Sequence, residues 1–201
     1  MAIITMLGID PSLTHTGWSV SEVCTEQRKI MRVIEGGTVV TAPSKVKQVR
    51  KSSDDMHRAR QHAIVLRSAI ERHKIKIGSA EIPSGGQSAS AAKAFGISIG
   101  LLASLPIPLI EVSPREVKVA ACNSATADKE DIVRFAVALT AGQPIQWETA
   151  KRANDWAIPF GAGFVLKTEE HKADSIAGTH AAIRSQQFHQ LAGMFNSLLA
   201  A

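Results

Sequence analysis

The chain has 201 residues and a formal net charge of +5, with 45% hydrophobic and 20% charged residues. This is the composition of an ordinary globular protein with a core of its own, and it excludes global disorder, collagen and coiled coil. Aromatic residues make up only 4% and tyrosine is absent, which argues against a broad stacking platform for single-stranded nucleic acid.

The opening MAIITMLGID lacks a basic leader and reaches an acid at Asp10, so it reads as a strand over Ile3 to Asp10 rather than a secretory signal. His15 to Cys24 alternates and Arg32 to Thr41 is rich in valine, with Gly36 and Gly37 as a bulge; short turns between them predict an antiparallel meander. Between Lys45 and Arg60 six cations (Lys45, Lys47, Arg50, Lys51, Arg58, Arg60) face two acids, Asp54 and Asp55. That stretch suits a loop and helix start that tracks a phosphate backbone, or else a solvated charged face. A helix is predicted over Asp54 to His73, capped by Ser52 or Ser53, with Met56, Ala59, Ala63, Leu66 and Ile70 on its apolar face.

Lys74 to Ile82 reads as a short strand, Ala91 to Ser104 as a helix and Leu109 to Val112 as another strand. Helices follow over Arg115 to Cys122 and Lys129 to Leu139. From Ala141 to Lys167 no period emerges among Pro144, Trp147, Trp156 and Pro159, and the segment reads as a structured loop or short helices. A helix from Thr168 to Gln187 and an amphipathic stretch to Leu199 close the chain. Three strands followed by strand–helix alternation imply an α/β fold, a mixed five-stranded sheet flanked by helices. One domain over 1–201 fits the length, with 141–167 as an insertion. Cys24 and Cys122 belong to no CxxC pair and read as buried thiols of a reducing compartment. The uncharged run Ala94 to Ile110 contains two prolines and falls short of the roughly 20 residues that span a bilayer. A cytoplasmic protein without a membrane partner is expected.

Three acids stand apart by their setting. Asp10 ends the apolar run Ile-Thr-Met-Leu-Gly-Ile before a Pro-Ser turn, Glu81 ends Ile77-Gly-Ser-Ala, and Asp174 has His171 three residues earlier on the same helical face. Clustered carboxylates in apolar surroundings repel one another and persist mainly where a cation neutralises them. Magnesium suits such an oxygen-rich site, and a pair of ions about 4 Å apart can clamp both the attacking and the leaving oxygen of a phosphodiester. Glu22, Glu26, Glu71, Glu116, Glu130 and Asp131 lie in polar or helical-surface contexts and read as solvated.

Gly8-Ile-Asp-Pro-Ser-Leu-Thr-His-Thr-Gly-Trp18 resembles the opening motif of the RuvC family of Holliday junction resolvases, which have an RNase H-like fold. Glu81 resembles the family's second acid. His171-Lys-Ala-Asp174-Ser-Ile-Ala resembles its closing acidic helix, where some members carry histidine. Ser113-Pro-Arg-Glu-Val-Lys118 and Ala127-Asp-Lys129-Glu-Asp-Ile resemble its two lysine-bearing segments, and all five occur in the family's order.

The resemblance implies a homodimeric, metal-dependent endonuclease that resolves DNA four-way junctions by paired symmetric nicks, leaving 5′-phosphate and 3′-hydroxyl ends. Asp10, Glu81, His171 and Asp174 would hold two Mg²⁺, with Mn²⁺ substituting, and position water. Lys118 and Lys129 would meet phosphates near the cut, Lys118 also stabilising developing charge. Lys45, Lys47, Arg50 and Lys51 would contact the DNA backbone. Where the family commonly has an aromatic after its second acid, this chain has Ile82-Pro-Ser-Gly-Gly, and Phe95 is too distant to replace it. Recognition by branch shape and phosphate is therefore expected. This departure and the expanded 45–51 and 141–167 segments resemble the bacteriophage and viral branch, which would put the protein in a host cytoplasm. Other readings are a broader branched-DNA nuclease, an actin-like ATPase sharing the Gly-Ile-Asp strand end, and a non-catalytic junction-binding protein. Trp18 reads as core.

Overall fold

The structure is a computed structural model, describing residues 2–83, 88–152 and 156–199, with side chains to residue 193. Its main sheet has the order β3-β2-β1-β4-β5, built from β1 (Ile3–Asp10), β2 (His15–Cys24), β3 (Lys29–Val40), β4 (Ile77–Glu81) and β5 (Leu109–Val112). β1 pairs antiparallel with β2, and β2 with β3; β4 lies parallel to both β1 and β5. The expected mixed sheet and its three-strand meander are present. Register shifts in the β2–β3 ladder fall at Val20/Ser21 and Glu22/Val23, ahead of the Gly36–Gly37 pair that was expected to bulge.

Two cores lie on opposite faces. On one, Leu7, Ile9, Trp18 and Val20 pack under α1 (Lys51–His73) and α2 (Ala89–Ala103) through Leu66, Ile70, Leu101 and Leu102. On the other, Met6, Ile77, Ile110 and Val112 pack under α3 (Pro114–Cys122), α4 (Lys129–Leu139), α5 (Glu170–Ala182) and α6 (Gln186–Leu199). Trp18 is a core residue. Cys24 is a buried thiol, but Cys122 is only partly buried; both are free. Among the described residues no helix is long and apolar enough to cross a membrane.

Four expectations about local structure are corrected. α1 begins at Lys51 with Arg50 at its N-cap and no side-chain cap, so Ser52 and Ser53 lie inside the helix. Its inward face in the first turns is polar: Asp55, Arg58 and His62 are buried, whereas Met56 is 59% exposed. The reason is a network beneath it. Arg58 Nη2 and His62 Nε2 donate to the Leu13 carbonyl at 3.0 and 3.1 Å, Thr41 Oγ1 donates to the same carbonyl at 2.6 Å, and Asp55 pairs with Arg58 and with Lys93 of α2. The helix expected over Thr168 to Gln187 ends at Ala182, because Ser185 Oγ accepts from Phe188 N–H at 3.1 Å and starts α6 at Gln186. Finally, the described part of 141–167 holds a three-stranded antiparallel sheet, order β6-β8-β7, of β6 (Thr149–Ala150), β7 (Pro159–Phe160) and β8 (Gly163–Val165). Strands of two or three residues leave no readable period. Trp147, Trp156, Ile158 and Val165 from this segment are buried in the same core as α5.

Candidate active site

Strand alternation aims the two strand-end acids at one point. In β1, Leu7 and Ile9 face the α1–α2 core, so Met6, Gly8 and Asp10 face α5. In β4, Ala80 faces the α1–α2 core while Ile77 and Ser79 face α5, which puts Glu81 on that side too. The parallel register sets Ile9 opposite Ala80, so Asp10 and Glu81 leave adjacent strands level with one another.

α5 is held unusually close to this sheet. A Cβ on Gly17 would collide with the backbone carbonyl of His171, and one on Gly8 with the Ser175 carbonyl and the Thr179 hydroxyl. The two glycines that bracket the opening motif therefore mark where the helix seats. Most of α5 is buried, and much of its buried surface is small: Ala173, Ser175, Ala177, Gly178, Thr179, Ala181 and Ala182. Seated there, His171 and Asp174 come from one face of the first helical turns to meet Asp10. His171 Nδ1 donates to Asp10 Oδ2 at 2.8 Å, and ligand atoms of Asp10, His171 and Asp174 all lie within 4.8 Å of one another. The start of α5 is also tied to the 141–167 segment: Glu169 pairs with Lys172 and accepts from Glu148 N–H at 3.0 Å, and Lys172 Nζ donates to the Gln146 carbonyl.

The electrostatics follow from this crowding. Burial, then the Asp10 charge and more weakly Glu81, push the Asp174 carboxyl up to about 7 against Lys129 and His171. Burial and Asp10 likewise raise Glu81 to about 7, against Lys118 and Lys129. For His171 burial alone would favour the neutral ring, but the hydrogen bond and charge of Asp10, with Glu170 behind, outweigh it and raise its pKa. Two carboxylates and an imidazole in one cluster, with Glu81 beside it, are a hard oxygen and nitrogen donor set that fits a divalent cation such as Mg²⁺ or Mn²⁺.

Asp10, Glu81, His171 and Asp174 line one cleft of about 310 Å³, and Lys118 and Lys129 line it too. Lys129 opens α4, whereas Lys118 lies in the middle of α3. Ser113 and Glu116 close a capping box on α3, and Asp128 and Asp131 close one on α4, so Glu116 and Asp131 are exposed but occupied as caps. A cation in the first turn of α4 opposes the helix dipole, and Lys129 is held there by Glu170 at 2.8 Å. Glu170, Asp174 and Asp10 raise the Lys129 pKa over the opposing effect of burial.

Lys45, Lys47, Arg50 and Lys51 are exposed on the segment entering α1, away from the cleft lining. Lys51 lines a second cleft that adjoins the first at Ser12, together with Arg58 and Lys93. Arg58 itself is buried in the Leu13 network and does not belong to the basic surface. The Ser84-Gly-Gly part of the segment after Glu81 lies outside the described residues. The sequence reading missed two members of the site, Glu170 and Ser12. Position was the available signal for both: one directly precedes His171, the other follows Asp10 by two residues.

Comparison with known proteins bears on this arrangement. The chain is 28% identical over 131 residues to the crossover junction endodeoxyribonuclease RuvC of Prochlorococcus marinus, covering 64% of this chain and 78% of that protein. It is 31% identical over 134 residues to that of Endomicrobium trichonymphae, 65% of each chain. The chain is similar in sequence to the RuvC endonucleases. RuvC of Thermus thermophilus in complex with Holliday junction substrate matches in structure with a TM-score of 0.62 at 19% identity, over 94% of this chain and 96% of that one. The yeast mitochondrial Holliday junction resolvase matches with 0.53 at 15% identity, over 94% and 83%. The fold is thus the RNase H-like fold of RuvC. No family model matches the chain. The RuvC likeness in structure extends over more of the chain than the likeness in sequence.

Proposed function

We propose that the chain is a structure-specific, Mg²⁺-dependent DNA endonuclease that resolves four-way junctions by paired nicks, leaving 5′-phosphate and 3′-hydroxyl ends. The observation that carries this reading is the cleft itself, in which Asp10, His171 and Asp174 cluster with Glu81 beside them and two lysines on the same walls. Asp10, His171 and Asp174 would hold the metal, with Glu81 completing the acidic set. A bound divalent ion supplies charge neutralisation at the phosphoryl oxygens and lowers the pKa of its water. Asp10 orients the His171 imidazole through Nδ1, and Glu170 holds the Lys129 ammonium at 2.8 Å. Lys118 and Lys129 would meet the negative charge of a backbone that enters the cleft, and Lys51 would extend that cationic track past Ser12. The working unit is a homodimer in the cytoplasm, since two symmetric nicks require two such clefts. Residues 1–201 act as one nuclease domain.

The test is cleavage mapping on a four-way junction, a fork, a flap and a linear duplex of matched sequence, with Mg²⁺ or Mn²⁺. Paired symmetric nicks in the junction are expected. Binding without cutting in either metal would leave a junction-binding protein. Equal cutting of fork and flap would favour a broader branched-DNA nuclease, a reading supported by the lack of an aromatic ring between Glu81 and Lys93.

A further inference from the structure

His15 opens β2, and its imidazole lies against that of His171 with ring centroids 5.3 Å apart and planes 12° from parallel. That is the geometry of an offset stack. The other contacts of the His171 ring act at its edge: Nδ1 donates to Asp10 Oδ2 at 2.8 Å, and Nε2 faces Glu170 Oε1 at 3.6 Å. Edge contacts fix which way the nitrogens point but resist tilting of the plane poorly. Strand alternation explains how the face is covered. His15 and Gly17 are two residues apart on the side of β2 that meets α5, so Gly17 admits the backbone of His171 while His15 covers its ring.

We infer that His15 is a positioning residue for His171, its ring fixing the plane in which the His171 imidazole presents Nδ1 to Asp10 and to the cluster around it. Residues that orient a metal-binding histidine typically change metal affinity or activity by 10–100-fold when replaced. For its metal arm the inference rests on the metal-nuclease reading above; its geometric arm does not.

The experiment uses the full chain with three substitutions: His15→Phe keeps a flat ring without nitrogens, His15→Leu keeps bulk without a flat face, and His15→Ala removes both. Two quantities are measured besides cutting: Mn²⁺ affinity by titration calorimetry, and the imidazole ¹⁵N pattern of His171 by NMR without metal. The Phe variant is expected to match the parent. The Leu and Ala variants should bind Mn²⁺ about tenfold more weakly, with altered His171 resonances and a melting temperature close to the parent's. Parent-like Mn²⁺ affinity and His171 resonances in the Leu variant would overturn the inference, as would a Phe variant as impaired as Leu. Should Ala fail to fold, the Phe–Leu comparison still decides. A parent protein that binds no Mn²⁺ would overturn the metal reading instead, and the metal-free resonances would still decide the stack.

Discussion

Asp174→Asn should stabilise the metal-free protein while abolishing cutting. Asp174 is held at about 7, against an ordinary 3.8, mainly by burial and by the Asp10 charge. A carboxyl whose folded pKa is raised keeps its proton longer folded than unfolded, so stability is lost as pH rises from about 4 to about 7. A rise of about three units at 1.36 kcal/mol each sets a ceiling near 4 kcal/mol at pH 8. Water reaching the cleft reduces this to about 2–4 kcal/mol, or roughly 5–15 °C in melting temperature for a chain of this size. The neutral amide also removes the weaker repulsion between Asp174 and Glu81. The assay is thermal melting with chelator at pH 8 and pH 4.5, with and without Mn²⁺, beside junction binding and cutting. The variant should melt higher at pH 8, lose that advantage at pH 4.5, gain little from Mn²⁺ and still bind the junction. An Asn variant that melts at or below the parent at pH 8, with no dependence on pH, would refute electrostatic crowding in the cleft.

Gly17→Ala should cost about 3 kcal/mol and abolish cutting, because its Cβ would meet the His171 backbone, whereas Gly37→Ala, with its nearest neighbour 3.5 Å away, should leave both melting and cutting near the parent's. His180 is pushed down to about 4 by burial and by Arg184, against a hydrogen bond with the Ala120 backbone. A histidine with a depressed folded pKa withdraws stability as pH falls from about 6.5 to 4, and His180→Asn should remove about 1–2 kcal/mol of that acid sensitivity in denaturant titrations, less than the full shift because solvent screens the partly exposed ring. Neutralising Lys45, Lys47, Arg50 and Lys51 together should lower the slope of log binding constant against log salt by about 3.6 if all four meet phosphates. An unchanged slope would assign them to solvent.

Much of the fold is legible in the sequence because its central strands are short apolar runs that end in acids. The apolar run that ends at Asp10 and the placement of Glu81 after Ile77-Gly-Ser-Ala suffice to predict that two carboxylates emerge at strand ends. Helical spacing does the same for His171 and Asp174. The inward face of α1 is not legible. Asp55, Arg58 and His62 look like surface residues until the Leu13 carbonyl, 49 residues away from His62, is brought beneath them. Glu170 escapes for a related reason. Sorting acids by apolar neighbours overlooks one flanked by Glu169 and His171, yet the fold turns it onto Lys129. In 141–167 each strand is too short to repeat its period, so only the burial of Trp147 and Trp156 reveals that the segment is part of the core.

The hydrogen bond from His171 to Asp10 joins residues 161 positions apart, and it depends on a helix that is itself core. A chain emerging from the ribosome therefore exposes Asp10 and Glu81 long before it can assemble the Asp10, His171 and Asp174 cluster. Contacts of such long range form late in folding. The cluster is complete only once the rest of the molecule has closed around α5, so nascent and misfolded copies carry the acids without the assembled site.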